Sequence, residues 1–434
     1  MSPSALSEQP LAVAFARQPI LDAGDALAGY ALLYRGPRAG ADAATARIAL
    51  GAMTEIGLSE ATGGAPAFLP VTARFLLDLD PLPFGPEGVV LDLADGEIID
   101  AALLERLRRL RRAGYRIAVG DVRPGLTGGV EAGEVLALAR VARVHAAALL
   151  SGGALTATAA LAAFEGKRLA VGVDTEEARA ACLAAGFDLF QGAFYCRPRP
   201  VDAQALPEAA TGHLQLSAAL NARELDVDEL ERAIVADVGL SFRLLRLVNS
   251  AAFARRQQIS SVRQAIVLLG MRTVRQWGML LVLSEVAGRR VPLLTTALAR
   301  ARTCEQIAAT LGAPDPDAYF LTGMFSVLDA LVGRPMQDVL TDVPVADDVV
   351  AALLQRAGGK GRALRMAEAC EAADWEAAAL PTLPAEQLAA LSAEALLWAD
   401  RTLGASFAEP AGEGASDAPV PAGAQPTAGP PAFV

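Results

Sequence analysis

Histidine and cysteine are the side chains best suited to holding a metal or starting covalent chemistry, and this chain uses both sparingly. Only two of its 434 residues are histidines, His145 and His213, and neither is followed by aspartate. A histidine-rich metal centre is therefore excluded whatever the fold, because such a site needs several imidazoles. His145, with no second histidine nearby, reads as a packing or hydrogen-bonding residue. Cys182, Cys196, Cys304 and Cys370 lie far apart with no C-x-x-C spacing, which suits neither a zinc site nor a disulfide framework. They read as small core residues. Arginine offers more. Between Ser241 and Ser284 there are seven arginines, Arg243, Arg246, Arg255, Arg256, Arg263, Arg272 and Arg275, and no Asp or Glu, in a chain of net charge −11. Two readings stay open. The run is either neutralised by an acidic stretch such as Asp338 to Asp348 or solvated on helix surfaces, or it is a docking surface for an acidic partner, with Arg255, Arg256 and Arg263 as its candidate contacts.

The elements that must position these residues fall into two textures. From residue 12 to 200, short β-type runs alternate with helical segments: Leu11 to Phe15, Ala67 to Val71, Gly88 to Leu93, Arg116 to Gly120, Val141 to His145, Arg168 to Val173 and Leu189 to Phe190. Alternation of this kind predicts parallel strands joined by helices, and the number of units fits a closed TIM-type βα barrel, whose functional groups gather at the C-terminal ends of the strands. Ala102 to Arg112 carries Leu103, Leu104, Leu107 and Leu110 on one stripe and predicts an outer helix. From about residue 210 helical periodicity takes over. Asp226-x-x-Glu229 opens a helix with Leu230, Ile234, Val235 and Val238, and Ser261-x-x-Gln264 opens one with Ile266, Leu268 and Leu269 before Gly270. Further helices are expected near 272–287, 294–312, 317–332, 336–342, 347–357, 361–373 and 384–403. The fold class is thus α/β plus all-α, divided as 1–203, 204–405 and an Ala/Gly/Pro-rich tail at 406–434 expected to be disordered.

Hydrophobic residues make up 53% of the chain, enough for a large core. The acidic balance argues against a general nucleic-acid binder. The longest apolar run, 144–164, is broken by His145, Ser151, Gly152 and Gly153, too interrupted to span a membrane. With no signal-peptide pattern at the start, a cytoplasmic protein is expected.

Several motifs in order resemble the EAL domain, the bacterial cyclic di-GMP phosphodiesterase module. They are Gln18-Pro19-Ile20, the stretch Gly29 to Arg35, the approach Gly114 to Asp121, Gly172-Val173-Asp174-Thr175, and Gly186 with Gln191-Gly192 and Pro198. The resemblance implies a pair of divalent cations held by oxygen ligands that activate a water. Position by position the ligands are missing. Ala31 stands where the family has its first Glu, Pro70 replaces an Asn, Gly120 an Asp, and Val171 a Glu, while Asp92 is a shorter carboxylate than the Glu expected. Arg143 replaces the lysine that helps activate water and His145 the aspartate beyond it; Arg stays protonated and handles protons poorly. The resemblance therefore implies a barrel without turnover and without a metal cofactor. Gln18, Arg35, Asp121 and Gln191 match positions that face the dinucleotide in the family. They imply either a retained ligand site, Arg35 holding a phosphate, or residues that merely order the barrel mouth, with Arg35 paired to Asp121 or Asp92. A rival expectation is weak phosphodiesterase activity with Mg²⁺ or Mn²⁺ on Asp92, Asp121 and Asp174.

Residues 210–375 resemble the HDOD domain, a helical relative of the HD phosphohydrolases. The segments are Asp237 to Leu240, Leu244 to Ala251, Ile259 to Ile266, Leu269-Gly270 and Tyr319 to Leu331. EAL-like then HDOD order implies a bacterial signalling protein acting through protein interaction, its partners being signalling proteins such as a kinase or a diguanylate cyclase, or cyclic di-GMP itself.

Overall fold

The computed structural model describes residues 16–33, 58–120, 130–149, 164–197, 226–236, 261–276, 291–342 and 345–407, and the single positions 161, 240, 241, 244, 245, 248, 259 and 278. The N-terminal half is a closed barrel of eight strands in sequence order: β1 (Ala16–Asp22), β2 (Leu27–Leu33), β3 (Ala67–Val71), β4 (Val89–Leu93), β5 (Arg116–Gly120), β6 (Val141–His145), β7 (Lys167–Val171) and β8 (Leu189–Gln191). The strands β2 to β8 are parallel, but β1 runs antiparallel to both β2 and β8. This corrects the all-parallel expectation. Leu11 to Phe15 lies outside the described residues, and the first described strand begins at Ala16. The stretch Leu27 to Leu33 is itself a strand, hidden in the sequence because it carries no β-branched residue and its Ala and Leu favour helix. The Asp22 carboxylate closes the intervening hairpin by accepting from the Gly24 and Ala26 amides. Gly29 is required there, since a Cβ would lie 2.7 Å from the Pro66 carbonyl oxygen.

Around the barrel pack α1 (Ala73–Asp78), α2 (Ala101–Arg112), α3 (Ala132–Leu138) and α4 (Glu176–Ala184). The Asp100 carboxylate caps α2 by accepting from the Leu103 amide, and the predicted leucine stripe is buried against the strands. Arg106 is buried with it, its guanidinium donating to the carbonyls of Leu76 and Leu79.

The C-terminal half is helical: α5 (Val227–Val235), α6 (Val262–Leu269), α7 (Val291–Thr310), α8 (Pro316–Phe325), α9 (Leu328–Val332), α10 (Met336–Asp342), α11 (Asp347–Gln355), α12 (Gly358–Glu371) and α13 (Ala385–Phe407). Asp226 and Glu229 form both halves of a capping box on α5, and the Ser261 hydroxyl caps α6. The buried stripe is narrower than the sequence predicts: Leu230 and Ile234 are in the core, whereas Val235 and Leu268 are exposed. The expected helix 317–332 is two helices. It breaks where the Ser326 hydroxyl donates to the Gly323 carbonyl and accepts from Arg300. The tail from 408 onward lies outside the described residues, and α13 runs to Phe407, just past the expected boundary. No helix among the described residues is long and apolar enough to cross a membrane.

The two halves share their cores. Ala16 of β1 belongs to the helical-domain cluster, and Ala393 of α13 to the cluster between strands and outer helices. At the seam the Arg17 guanidinium makes a two-pronged ion pair with Asp400 of α13, both contacts at 2.6 Å, and the Tyr195 and Thr296 hydroxyls are 3.1 Å apart.

Candidate functional site

Strand register determines which side chains meet inside the barrel. A lower interior layer is apolar, with Ile20, Phe68, Val90, Ala118, Val141, Leu169 and Leu189 in one cluster. Two residues along each strand, on the same face, comes the layer at the mouth. There Gln18 lies opposite Ala31, Pro70 beside Asp92, Gly120 beside Arg143, and Val171 beside Gln191. The positions singled out in the sequence thus form one ring. The Gln191 amide donates to the Gln18 side-chain oxygen at 2.9 Å. Arg35 and Asp121 lie outside the described residues.

Across eight ring positions Asp92 is the only carboxylate, and its neighbour is a cation from the same ring. Arg143 Nε stands 3.2 Å from Asp92 Oδ1, close enough for strong attraction but off the direction of a hydrogen bond, since neither atom has a hydrogen-bond partner. The same guanidinium donates to Asp95 at 2.8 Å and to the Leu93 carbonyl at 3.0 Å, and His145 Nε2 is 3.1 Å from Asp95. Burial, reinforced by Asp95 and opposed by Arg143, pushes the Asp92 carboxyl up to about 6. Gly120 is part of this arrangement, because a Cβ there would sit 2.6 Å from Asp95 and 3.0 Å from Arg143. The space a carboxylate at 120 would need is already filled. Asp174 is tied down differently, accepting from the Ala193 amide at 2.9 Å. Gly192 next door must be glycine, for a Cβ would fall 2.0 Å from the Val173 carbonyl oxygen. Among the described residues no three His, Cys, Asp or Glu side chains converge as a metal set would.

Sequence reasoning missed Asp95, which follows β4 in a loop and carries no motif of its own. It also missed Arg17 and Arg300. The Arg300 guanidinium pairs with both oxygens of Glu371 at 2.6 and 2.8 Å and donates to Ser326. His145 is a hydrogen-bonding residue; His213 lies outside the described residues. Of the arginine run, Arg263 is engaged by Asp228 and Glu231 of α5, and Arg272 by Glu305 and Asp317. These partners come from α5, α7 and α8, not from Asp338 to Asp348. Arg243, Arg246, Arg255 and Arg256 lie outside the described residues. Cys182, Cys304 and Cys370 are buried free thiols and Cys196 is half-buried.

Residues 206–336 match the HDOD domain. Over 374 residues the chain is 30% identical to the cyclic di-GMP phosphodiesterase CdgJ of Vibrio cholerae, a match spanning 83% of this chain and 85% of that protein. The chain belongs to the EAL–HDOD family. This EAL–HDOD protein is also 26% identical over 377 residues to the uncharacterized protein YuxH of Bacillus subtilis, covering 83% of this chain and 91% of that one. An EAL domain protein from Listeria monocytogenes aligns with 45% of this chain and 93% of its own, at 15% identity and a TM-score of 0.34, a value too low to weigh.

Proposed function

We propose that this EAL–HDOD protein is a signal-transduction protein without turnover, working in or near cyclic di-GMP signalling through protein interaction. The observation that supports this reading best is the position of Arg143. Hydrolysis of a phosphodiester on two hard cations needs several oxygen ligands and a vacancy for the metals. The ring offers apolar or bare positions at Ala31, Pro70, Gly120 and Val171, and its one carboxylate, Asp92, already faces a guanidinium. A permanent internal cation takes the place of an exchangeable one. The residues present do not fit a divalent pair, so no catalytic step is derived through it. A hydrolase would have to remove on the order of 10 kcal/mol or more from its barrier, and nothing else in the ring is placed to do so.

The partners in this reading are signalling proteins, with a kinase or a diguanylate cyclase as candidate classes, and the docking residues are Arg255, Arg256 and Arg263. A second reading is favoured by the relative CdgJ, which is called a phosphodiesterase: weak hydrolysis with Mg²⁺ or Mn²⁺ on Asp92, Asp121 and Asp174. A third is a cyclic di-GMP receptor without turnover using Gln18, Arg35, Asp121 and Gln191. A hydrolysis assay with cyclic di-GMP and Mn²⁺ separates the first two, and the expected outcome is no product above the protein-free control. Calorimetry with the dinucleotide tests the third, which requires saturable binding lost in Arg35→Ala.

A further inference from the structure

Where the helical domain meets the β1 and β8 side of the mouth, the two halves border a half-open cavity of about 540 Å³. The barrel contributes Gln18, Tyr30 and Tyr195, together with Arg197 beyond β8; the helical domain contributes Thr295, Thr296 and Arg300 from α7, then Ser326, Asp329 and Glu371. The volume lies within the range of ligand sites, roughly 300 to 1,000 Å³.

The wall chemistry narrows what fits. Its interior charges are matched among themselves: Arg300 by Glu371, Arg356 by Glu368 at 2.8 Å, and Arg17 by Asp400. Such a wall has no strong net charge with which to select a compact ion. It does offer hydrogen-bonding groups of both kinds. Gln18 brings an amide, whose oxygen accepts the Gln191 bond; Tyr30 adds a hydroxyl and Asp329 a carboxyl. Pro19 and Pro292 supply apolar faces between them. Donors, acceptors and flat apolar faces together complement a heteroaromatic base. Arg197, exposed on the same lining, suits a phosphate.

We propose that this cavity is a nucleotide site of mononucleotide size, gripped by both domains and distinct from the Asp92–Arg143 pair, neither of which lines it. Gln18 belongs to both the cavity and the ring, so an occupant would fix the first strand and α7 at once. The proposal stands whether or not the ring turns over a substrate.

Calorimetry on the full chain with adenosine and guanosine monophosphate tests it, with ribose 5-phosphate as the probe lacking a base. Ala372→Trp places a large side chain on the cavity lining from an exposed position, and Arg197→Ala removes the cation; thermal unfolding checks that both still fold. The expected result is saturable binding of at least one mononucleotide, weakened about tenfold or more in each variant, and weaker binding of ribose 5-phosphate. No mononucleotide binding at about 1 mM would overturn the proposal. So would binding unchanged in both folded variants, or ribose 5-phosphate binding as tightly as the nucleotides.

Discussion

At the scale of single residues, the mouth of the barrel is governed by one guanidinium between two carboxylates. Folding raises the Asp92 pKa from 3.8 to about 6, so the folded chain holds that proton more tightly than the unfolded chain. The associated stability is complete below pH about 4 and is lost as pH climbs towards 6, a swing on the order of 3 kcal/mol. Asp92→Asn has no such step. Its stability relative to the parent should rise by up to that amount between pH 4 and 7.5, read from urea midpoints; parallel pH profiles would contradict the assignment. Arg143→Met removes the shared partner of Asp92 and Asp95 and should cost about 3 kcal/mol at pH 8. The cost should shrink towards pH 5, where Asp92 takes up a proton. Ala31 and Gly120 were legible in the sequence because each interrupts a motif of the resemblance, and Pro70, Arg143 and Val171 because each aligns with a position where the resemblance expects a polar or proton-handling residue. Asp95 was not, because its importance comes from where a loop folds back rather than from any pattern.

Elements were legible where local residue types or spacing declare them, as the Val- and Phe-bearing runs of β3 and β4 do. The α2 stripe and the caps of α5 and α6 follow from local spacing, and local spacing is what a sequence displays. The β2 strand was hidden because its Leu, Ala and Gly residues carry no β-branched side chain, and the 317–332 helix broke at Ser326 for a reason in another helix, the Arg300 guanidinium. The most consequential unseen contact links Arg17 in β1 to Asp400 in α13, 383 residues apart. Arg17 is 1% exposed and also donates to the Ala61 carbonyl and lies over the Tyr30 ring. Arg17→Met or Asp400→Leu alone strands a buried charge and should cost about 3–5 kcal/mol, while the double variant should cost less than either. Denaturation of the three proteins checks this, and additive losses would show that the two side chains do not act as a pair.

For the whole molecule, the two textures of the sequence became a closed barrel and a helical domain, but their division is less clean than composition implies. Ala16 and Ala393 each serve the other half's core, so the helical domain is built against the barrel rather than tethered to it. A signal carried by protein interaction should then depend on surfaces rather than on turnover. Reversing charge at Arg255 and Arg256 should leave the unfolding midpoint unchanged and remove captured partners, while Arg263, which Asp228 and Glu231 already engage, is tested by neutralisation to Gln; an unchanged set of partners in these variants would refute a docking role for the arginines. The central claim is that the ring at the barrel mouth, filled by Arg143, performs no hydrolysis. Its most direct measurement is a single-turnover assay with protein in excess over cyclic di-GMP and Mn²⁺ present, so that even one slow cleavage per molecule is counted. The account predicts no linear product beyond the protein-free control, and Mn²⁺-dependent product that disappears in Asp121→Ala would contradict it.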